Sequence, residues 1–341
     1  MMVVQMSYLQ LCIVSIAAVA VAGEVHAQSA LHRVSLRSSV SRFVPAAHAS
    51  RATPAKPWEG PVVYAAPTSR GEVNVYKGGD KKPKQPIYSF SLDPGTANSL
   101  QVDAKGNLYL ADTYSTWVFE YAPGTNTPLK GFPTSEPPDQ IVIRGRTLYV
   151  FQSGTTGGDV SVQIYEKGST SPTRSLSDAS MEYPDALAVD KAGNVFVAYD
   201  TADLTSGVGE FVNGQMPMVP LTLKGISLPL SMAIDPAGNL VIDNASTETG
   251  SSLEIYPPGK SKPSAEISGL PWLYQFSFTA DGTEFYAAPS GTGKKDQLFR
   301  KYDYPSGKLV YSYRIGDAFA GISGIAASPS AEPGTWGTQD K

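Results

Sequence analysis

One short segment recurs along the chain at a nearly constant interval, and this recurrence restricts the fold more than any other feature. The clear copies read VDAKGNLYLAD, VDKAGNVFVAYD and IDPAGNLVID, and weaker copies stand at 143–151 and 278–287. A second recurring segment ends a strand with an aromatic residue followed by a turn. Its aromatics are about 44–48 residues apart: Tyr76, Tyr121, Tyr165, Phe211, Tyr256 and Tyr304. This period is typical of one four-stranded blade of a β-propeller.

Each repeat divides into four strands, named a to d in chain order. Strand a ends at the Asp of an Asp-x-x-Gly-Asn turn, in which we expect Gly and Asn to adopt positive φ. Strand b follows, strand c ends in the aromatic, and strand d lies outermost. Large apolar and small residues alternate as in sheets that pack face to face. No stretch has a helical period, so the sequence predicts an all-β fold.

The two ends of the repeat array complete each other. The first repeat begins at strand b, at 62–67, whereas the last segment, 321–329, has the pattern of a strand a with nothing after it. Pairing them completes a sixth blade and removes two exposed strand edges. The sequence therefore predicts a six-bladed β-propeller with four-stranded blades over residues 59–329, in which the C-terminal strand closes the ring on the N-terminal blade.

The segments outside the repeats differ from them in composition. Residues 11–22 are an apolar run too short to span a bilayer, and Val25 and Ala27 are suitable residues at −3 and −1 of a cleavage site. We interpret 1–27 as a signal peptide, which predicts a secreted or periplasmic mature protein. Residues 28–58 are basic and rich in Ser, Ala and Pro, as in a flexible linker, and 330–341 form a polar tail.

Histidine and cysteine are missing from the repeats. Cys12 and His26 fall in the predicted signal, and His32 and His48 precede the first blade. The propeller therefore has no Ser-His-Asp triad, thiol nucleophile or ordinary zinc site. The net charge of −4 gives no reason to expect nucleic acid as a partner. We expect a monomer with no membrane span once the signal is cleaved.

Propeller topology puts the d–a and b–c connections on one face, called the top here, where we expect ligands to bind. Aligned strand a segments place one residue of each blade at the channel mouth: Asn98, Asp139, Asp185, Leu230, Tyr274 and Ser323. Strand b ends at the same face with Asp112, Asp200 and Asp243. Carboxylate oxygens suit Ca²⁺ or Mg²⁺, so Asp139 and Asp185, completed by Asp112, Asp200 or Asp243, are candidate cation ligands. Alternatively, each Asp bonds the backbone of its own loop.

Four aromatic residues also fall on the top face: Tyr114, Tyr183, Trp272 and Tyr274. Aromatic side chains at a polar mouth suit a sugar or a peptide, and the alternative is that they cover the core between blades. The repeated turn aspartates Asp103, Asp190 and Asp235 belong to the opposite face, where we expect them to stabilise their own turns.

The repeated core, Asp-x-x-Gly-Asn followed by Leu or Val and two more strand residues, resembles the NHL repeat over about residues 61–329. It is more distantly similar to the senescence marker protein/gluconolactonase family. The resemblance implies six blades, ligands near the axis and, for the lactonases, one divalent cation held by Glu, Asn and Asp. The early metal-binding Glu motif of the lactonases is missing from 61–75.

Two functions follow from these observations. The first is a non-catalytic, extracytoplasmic binding or scaffold propeller that uses its top face for a protein, peptide or carbohydrate. The alternative is a divalent-cation-dependent hydrolase of the gluconolactonase type.

Overall fold

The computed structural model describes residues 60–67, 71–78, 86–92, 97–153, 160–203, 205–246, 250–289, 298–314 and 321–329. Within these residues the chain forms six antiparallel four-stranded sheets, which confirms the predicted all-β propeller. The predicted signal, linker and tail lie outside the described residues. No helix in the described part of the chain has the length and apolar character needed to cross a membrane.

The six blades, A to F, follow one another in chain order, except that blade A takes its first strand from the C-terminus. Blade A contains β24 (Ile322–Ser328), β1 (Val62–Pro67), β2 (Glu72–Lys77) and β3 (Tyr88–Ser91), and blade B contains β4 (Ala97–Val102), β5 (Leu108–Asp112), β6 (Trp117–Tyr121) and β7 (Pro128–Pro133). Blade C contains β8 (Pro138–Arg144), β9 (Thr147–Gln152), β10 (Ser161–Tyr165) and β11 (Arg174–Leu176), and blade D contains β12 (Tyr183–Val189), β13 (Val195–Asp200), β14 (Ser206–Phe211) and β15 (Val219–Pro220). Blade E contains β16 (Pro229–Ile234), β17 (Leu240–Ser246), β18 (Gly250–Tyr256) and β19 (Ala265–Leu270), and blade F contains β20 (Leu273–Phe278), β21 (Glu284–Pro289), β22 (Leu298–Asp303) and β23 (Leu309–Arg314). Single 3₁₀ turns at Glu166–Gly168 and Val212–Gly214 join strands c and d of blades C and D.

The ring closes as the ends of the repeat array predicted. The C-terminal strand β24 pairs antiparallel with β1, from Val62 opposite Ser328 to Pro67 opposite Ile322. Blade A therefore has four strands like the others, and β1 is not left with the open edge that would invite aggregation.

The Asp-x-x-Gly-Asn turn is held together by its own side chains. In blade B, Asp103 Oδ1 accepts from the Asn107 backbone N–H at 2.8 Å, and Oδ2 accepts from the Asn107 side-chain amide at 2.9 Å. Gly106 has φ 83°, which other residues rarely adopt. The expectation that the Asn of this turn also takes positive φ is wrong, since Asn107 does not have positive φ. Its side-chain amide bonds Asp103 instead. The same pair of bonds recurs in blades D and E.

The aromatic at the end of strand c lies opposite the first apolar residue of strand b. Four of the six predicted residues take this register, as Tyr121 does opposite Leu108, and Tyr76 of blade A lies opposite Val63, the second apolar residue of its strand b. In blade F the register belongs to Tyr302, opposite Phe285, so the prediction of Tyr304 is wrong by two residues. Tyr304 lies in the following turn, because β22 runs to Asp303, and its hydroxyl donates to Asp235 of blade E at 2.7 Å.

The core of the described residues consists of six apolar clusters, one between each pair of neighbouring blades. Aromatic rings contribute much of it, as where Tyr76 packs edge-on against Phe299 with centroids 5.0 Å apart. Their hydroxyls also tie blades together, since Tyr286 donates to Gly78 O at 2.8 Å. Burying one such side chain contributes about 1.5–3 kcal/mol, so each interface between blades stabilises the ring.

Candidate ligand site at the channel mouth

A β-bulge lies near the start of strand a in every blade, at the register that the sequence alignment picked out. In blade B, Ala97 pairs with Asp112 and Ser99 pairs with Ala111, which leaves Asn98 without a partner residue in β5. The equivalent bulged residues in the other blades are Asp139, Asp185, Leu230, Tyr274 and Ser323. A bulge changes the direction of the side chain it carries. The six bulged residues, one from each blade, thus form a ring near the start of strand a.

The bulged side chains differ in polarity around the ring. Asn98 donates to a carboxylate oxygen of Asp139, which joins the neighbouring blades B and C at the mouth. Leu230 and Tyr274 give the side formed by blades E and F an apolar character. These bulged residues and Asp185 are half-buried, whereas Ser323 is buried and its hydroxyl contacts Ala97 O at 2.5 Å.

One residue below this ring, Gln275 bridges three blades. Its amide nitrogen donates to Leu100 O at 2.9 Å, and its oxygen accepts from Ile325 N at 2.8 Å and Leu100 N at 3.3 Å. Gln275 is only 3% exposed. A Cβ at Gly324 would lie 2.8 Å from Leu100 Cγ, so glycine allows the inner strands of blades A and B to approach closely. Gln275 therefore links the inner strands of blades F, A and B next to the mouth.

Two of the predicted cation ligands bond their own loops. Asp112 Oδ1 accepts from the Tyr114 backbone N–H at 3.1 Å, and Asp200 Oδ1 accepts from the Ser206 hydroxyl at 2.7 Å. Both carboxylates are buried beside the b–c connections that they stabilise. The Asp112 bond is of the kind that the structural alternative describes, whereas the Asp200 bond is to a side-chain hydroxyl and not to the backbone.

Asp243 lies deeper than the sequence suggested, because β17 continues past it to Ser246. It is 0% exposed and pairs with Ser231 and Leu253, on the side of blade E that packs against blade F. Within the described residues neither carboxylate oxygen has a hydrogen-bond partner, and the nearby Ser251 hydroxyl is not in bonding geometry. Burial raises the pKa of Asp243 well above its ordinary value. The same register in other blades holds Ala66, Ala111, Phe151, Ala198 and Ala288.

No three acidic, histidine or cysteine side chains of the described residues lie close enough together to hold one metal ion. Asp139 and Asp185 occupy equivalent positions on neighbouring blades at the mouth, whereas Asp243 lies beneath it. A Ca²⁺ or Mg²⁺ site, and the hydrolase that would use it, stay predictions.

The four predicted aromatics are spread around the top face. Tyr114 is 53% exposed in the b–c turn of blade B, and Tyr183 begins β12 of blade D, opposite Asp200. Trp272 directly precedes β20 of blade F and Tyr274 lies within that strand, and Trp272 Nε1 donates to Ser246 O of blade E at 2.6 Å. Both are half-buried, and burial raises the pKa of Tyr274. The blade E–F side of the mouth therefore combines these two aromatics with Leu230.

No protein-family profile and no curated protein sequence matches the chain. A chain from the crystal structure of a nidogen/laminin complex has a TM-score of 0.63 with it at 16% identity, covering 79% of this chain and 98% of that one. A protein of unknown function from Bacteroides caccae has a TM-score of 0.60 at 14% identity, covering 79% and 99%. At 14–16% identity these similarities confirm the fold alone.

Proposed function

We propose that the protein is a non-catalytic binding propeller that acts outside the cytoplasm and holds a partner protein or peptide at its channel mouth. The observation that carries this proposal is the ring of bulges. Each blade repeats the same backbone feature near the start of strand a, yet the six side chains it carries include a carboxylate, an amide, a hydroxyl, an aliphatic chain and a phenol.

The opposite face supports the proposal by contrast. There the Asp of the a–b turn recurs as Asp103, Asp190 and Asp235, and in each case it bonds the Asn four residues later. In these three blades one structural requirement selects the same residue each time. Different residues at one repeated register are instead what recognition of an asymmetric ligand needs.

The shape of the mouth favours a macromolecule over a small one. Small-molecule sites are concave pockets that enclose most of their ligand. The amide of Gln275, one residue along strand a from the bulge, bonds the inner strands of blades A and B, which favours a shallow site on that side. A similar propeller occurs in the structure of a nidogen/laminin complex, an assembly of proteins, which favours a protein over a carbohydrate partner.

Site-specific photocrosslinking tests the proposal. A benzoylphenylalanine at position 230 reports on the mouth, and one at exposed position 105 reports on the opposite face. In the source cells we expect a discrete adduct from position 230 alone, suppressed by excess unmodified protein and sensitive to protease. Equal adducts from both positions, or none from any of the six bulge positions, would contradict it. An adduct that resists protease and yields to glycosidase would identify a carbohydrate instead.

A further inference from the structure

The top face of blades B, C and D carries mainly negative charge. The b–c connections of blades B to D, the d–a connections that lead into blades C and D, and the strand ends beside them contain eight carboxylates and, among the described residues, no lysine or arginine. The d–a connection that leaves blade D for blade E adds one exposed lysine, Lys224. We call the eight carboxylates the acidic sector: Asp112, Glu136, Asp139, Asp178, Glu182, Asp185, Asp200 and Asp203. Asp112 and Asp200 are buried, whereas the other six are half-buried or exposed. Six acidic residues that are at least partly exposed therefore face the same side of the molecule, although one carboxylate oxygen of Asp185 is buried.

The opposite face has exposed lysines on its turns, and the chain as a whole has a net charge of only −4. These lysines come from blades B to F: Lys105, Lys167, Lys191, Lys260, Lys262 and Lys308. The opposite face thus combines these lysines with acidic residues such as Asp103, Asp190 and Asp281, whereas the acidic sector carries one sign of charge. A cleft lined by one sign of charge concentrates its field on an approaching ligand.

The arrangement of the acidic sector distinguishes among possible cations. Because no three of its carboxylates converge on one point, the sector is poorly suited to a single metal ion. Carboxylates distributed over three consecutive blades match several cations held apart from one another, as along a polypeptide with spaced lysine or arginine side chains.

The neighbouring blades supply an apolar surface at the same level. Leu230 and Tyr274 occupy the bulge register in blades E and F, immediately after the Asp185 of blade D in the ring. Both side chains are half-buried and so remain in contact with solvent at the mouth. A ligand that crosses the mouth meets carboxylates on one side and an aliphatic and an aromatic side chain on the other.

We propose that the partner presents a segment with spaced lysine or arginine side chains, whose cations lie over the acidic sector and whose apolar side chains contact Leu230 and Tyr274. This inference rests on the proposed function, since it specifies what the mouth binds. Complementary charge accelerates association and excludes acidic competitors, while the apolar contacts supply binding energy that salt does not screen.

The test uses fluorescein-labelled decapeptides in which leucine alternates with lysine, with serine or with glutamate. Anisotropy should show saturable binding of the lysine peptide, weaker at about 150 mM than at about 20 mM salt, and no binding of the glutamate peptide. Glu182→Lys in the acidic sector should weaken binding about fivefold. Glu266→Lys, on the outer strand of blade E, makes the same change in net charge and should leave affinity within about twofold.

The possible failures are distinguishable. If the lysine peptide does not bind, or if both charge variants weaken it equally, the inference is wrong, whereas the proposed function is judged separately by the crosslinks from position 230. If the serine peptide binds as tightly as the lysine peptide and Leu230→Arg weakens both, the mouth binds peptides but does not select cations, and only the charge inference is overturned.

Discussion

Replacing Gln275 with leucine keeps the approximate size of the side chain and removes the amide that joins the inner strands of blades F, A and B. Three backbone groups then lose their partner: Leu100 N, Leu100 O and Ile325 N. These groups lie on inner strands, which have a neighbouring strand of their own sheet on one side only. The substitution therefore tests whether this amide stabilises the region where the ring closes.

The expected magnitude follows from the groups left without partners. Each buried polar group that loses its hydrogen bond costs about 1–3 kcal/mol, and the added apolar surface of leucine offsets about 1 kcal/mol. We expect Gln275→Leu to lower the free energy of unfolding by about 3 kcal/mol. For a domain of this size, about 2–4 °C of Tm corresponds to each kcal/mol, so Tm should fall by about 6–12 °C.

Urea unfolding followed by circular dichroism measures this loss, and Gln140→Leu is the matched control. Gln140 occupies the same register in blade C, opposite Phe151, but is half-buried. We expect the control to lose less than about 1 kcal/mol. Equal losses in the two variants, or a Gln275→Leu protein as stable as the wild type, would refute the role assigned to the bridging amide.

Four further predictions concern other parts of the chain. Burial raises the pKa of Asp243 in the folded state, so the folded state binds this proton more tightly than the unfolded state does. The stabilisation that protonated Asp243 contributes is complete below the unfolded-state pKa of about 3.9 and is lost as pH rises through the folded-state pKa. Asp243→Ala should therefore stabilise the protein by about 1–2 kcal/mol at pH 7 and by less at pH 4, and an equal effect in urea melts at both pH values would contradict this. Truncation before Gly321 removes β24 and should abolish cooperative unfolding; a melt like that of the full chain would show that closure is dispensable. If a cation site exists at the mouth, millimolar Ca²⁺ should raise Tm, because a hundredfold excess over Kd stabilises the folded state by about 2.7 kcal/mol. The variant Asp139→Ala should remove this rise in Tm. Absence of any shift would remove that site and the hydrolase with it. Finally, N-terminal sequencing of the exported protein should begin at Gln28, and an intact Met1 would overturn the signal peptide.

The sequence predicted those parts of the fold that local interactions or the repeat itself determine. The Asp-x-x-Gly-Asn turn was recognisable because Asp103 bonds Asn107, only four residues away. Ring closure followed from counting strands, since the first repeat lacks the strand that 321–329 supplies. The alignment also identified Asn98 and its equivalents as one register, but nothing in the sequence indicated that each of them forms a bulge.

Contacts between distant residues could not be predicted in the same way. Gln275 bonds Leu100, which is 175 residues away, and no local pattern marks that pair. Asp243 was expected at the mouth because Asp112 ends its strand b, yet β17 continues for three residues beyond Asp243 and buries it. Nothing in Asn244-Ala245-Ser246 marks a longer strand, because Asn and Ala are depleted in strands and Asn and Ser favour turns.

The central claim is that the channel mouth, and not the opposite face, binds the partner. Isothermal titration of the partner identified by crosslinking tests it most directly, with Leu230→Arg at the mouth compared with Lys105→Glu on an exposed turn of the opposite face. We predict that Leu230→Arg raises Kd by at least about tenfold, equivalent to about 1.4 kcal/mol, while Lys105→Glu leaves it within about twofold. A Kd that changes equally in the two variants, or that changes only with Lys105→Glu, would contradict the account.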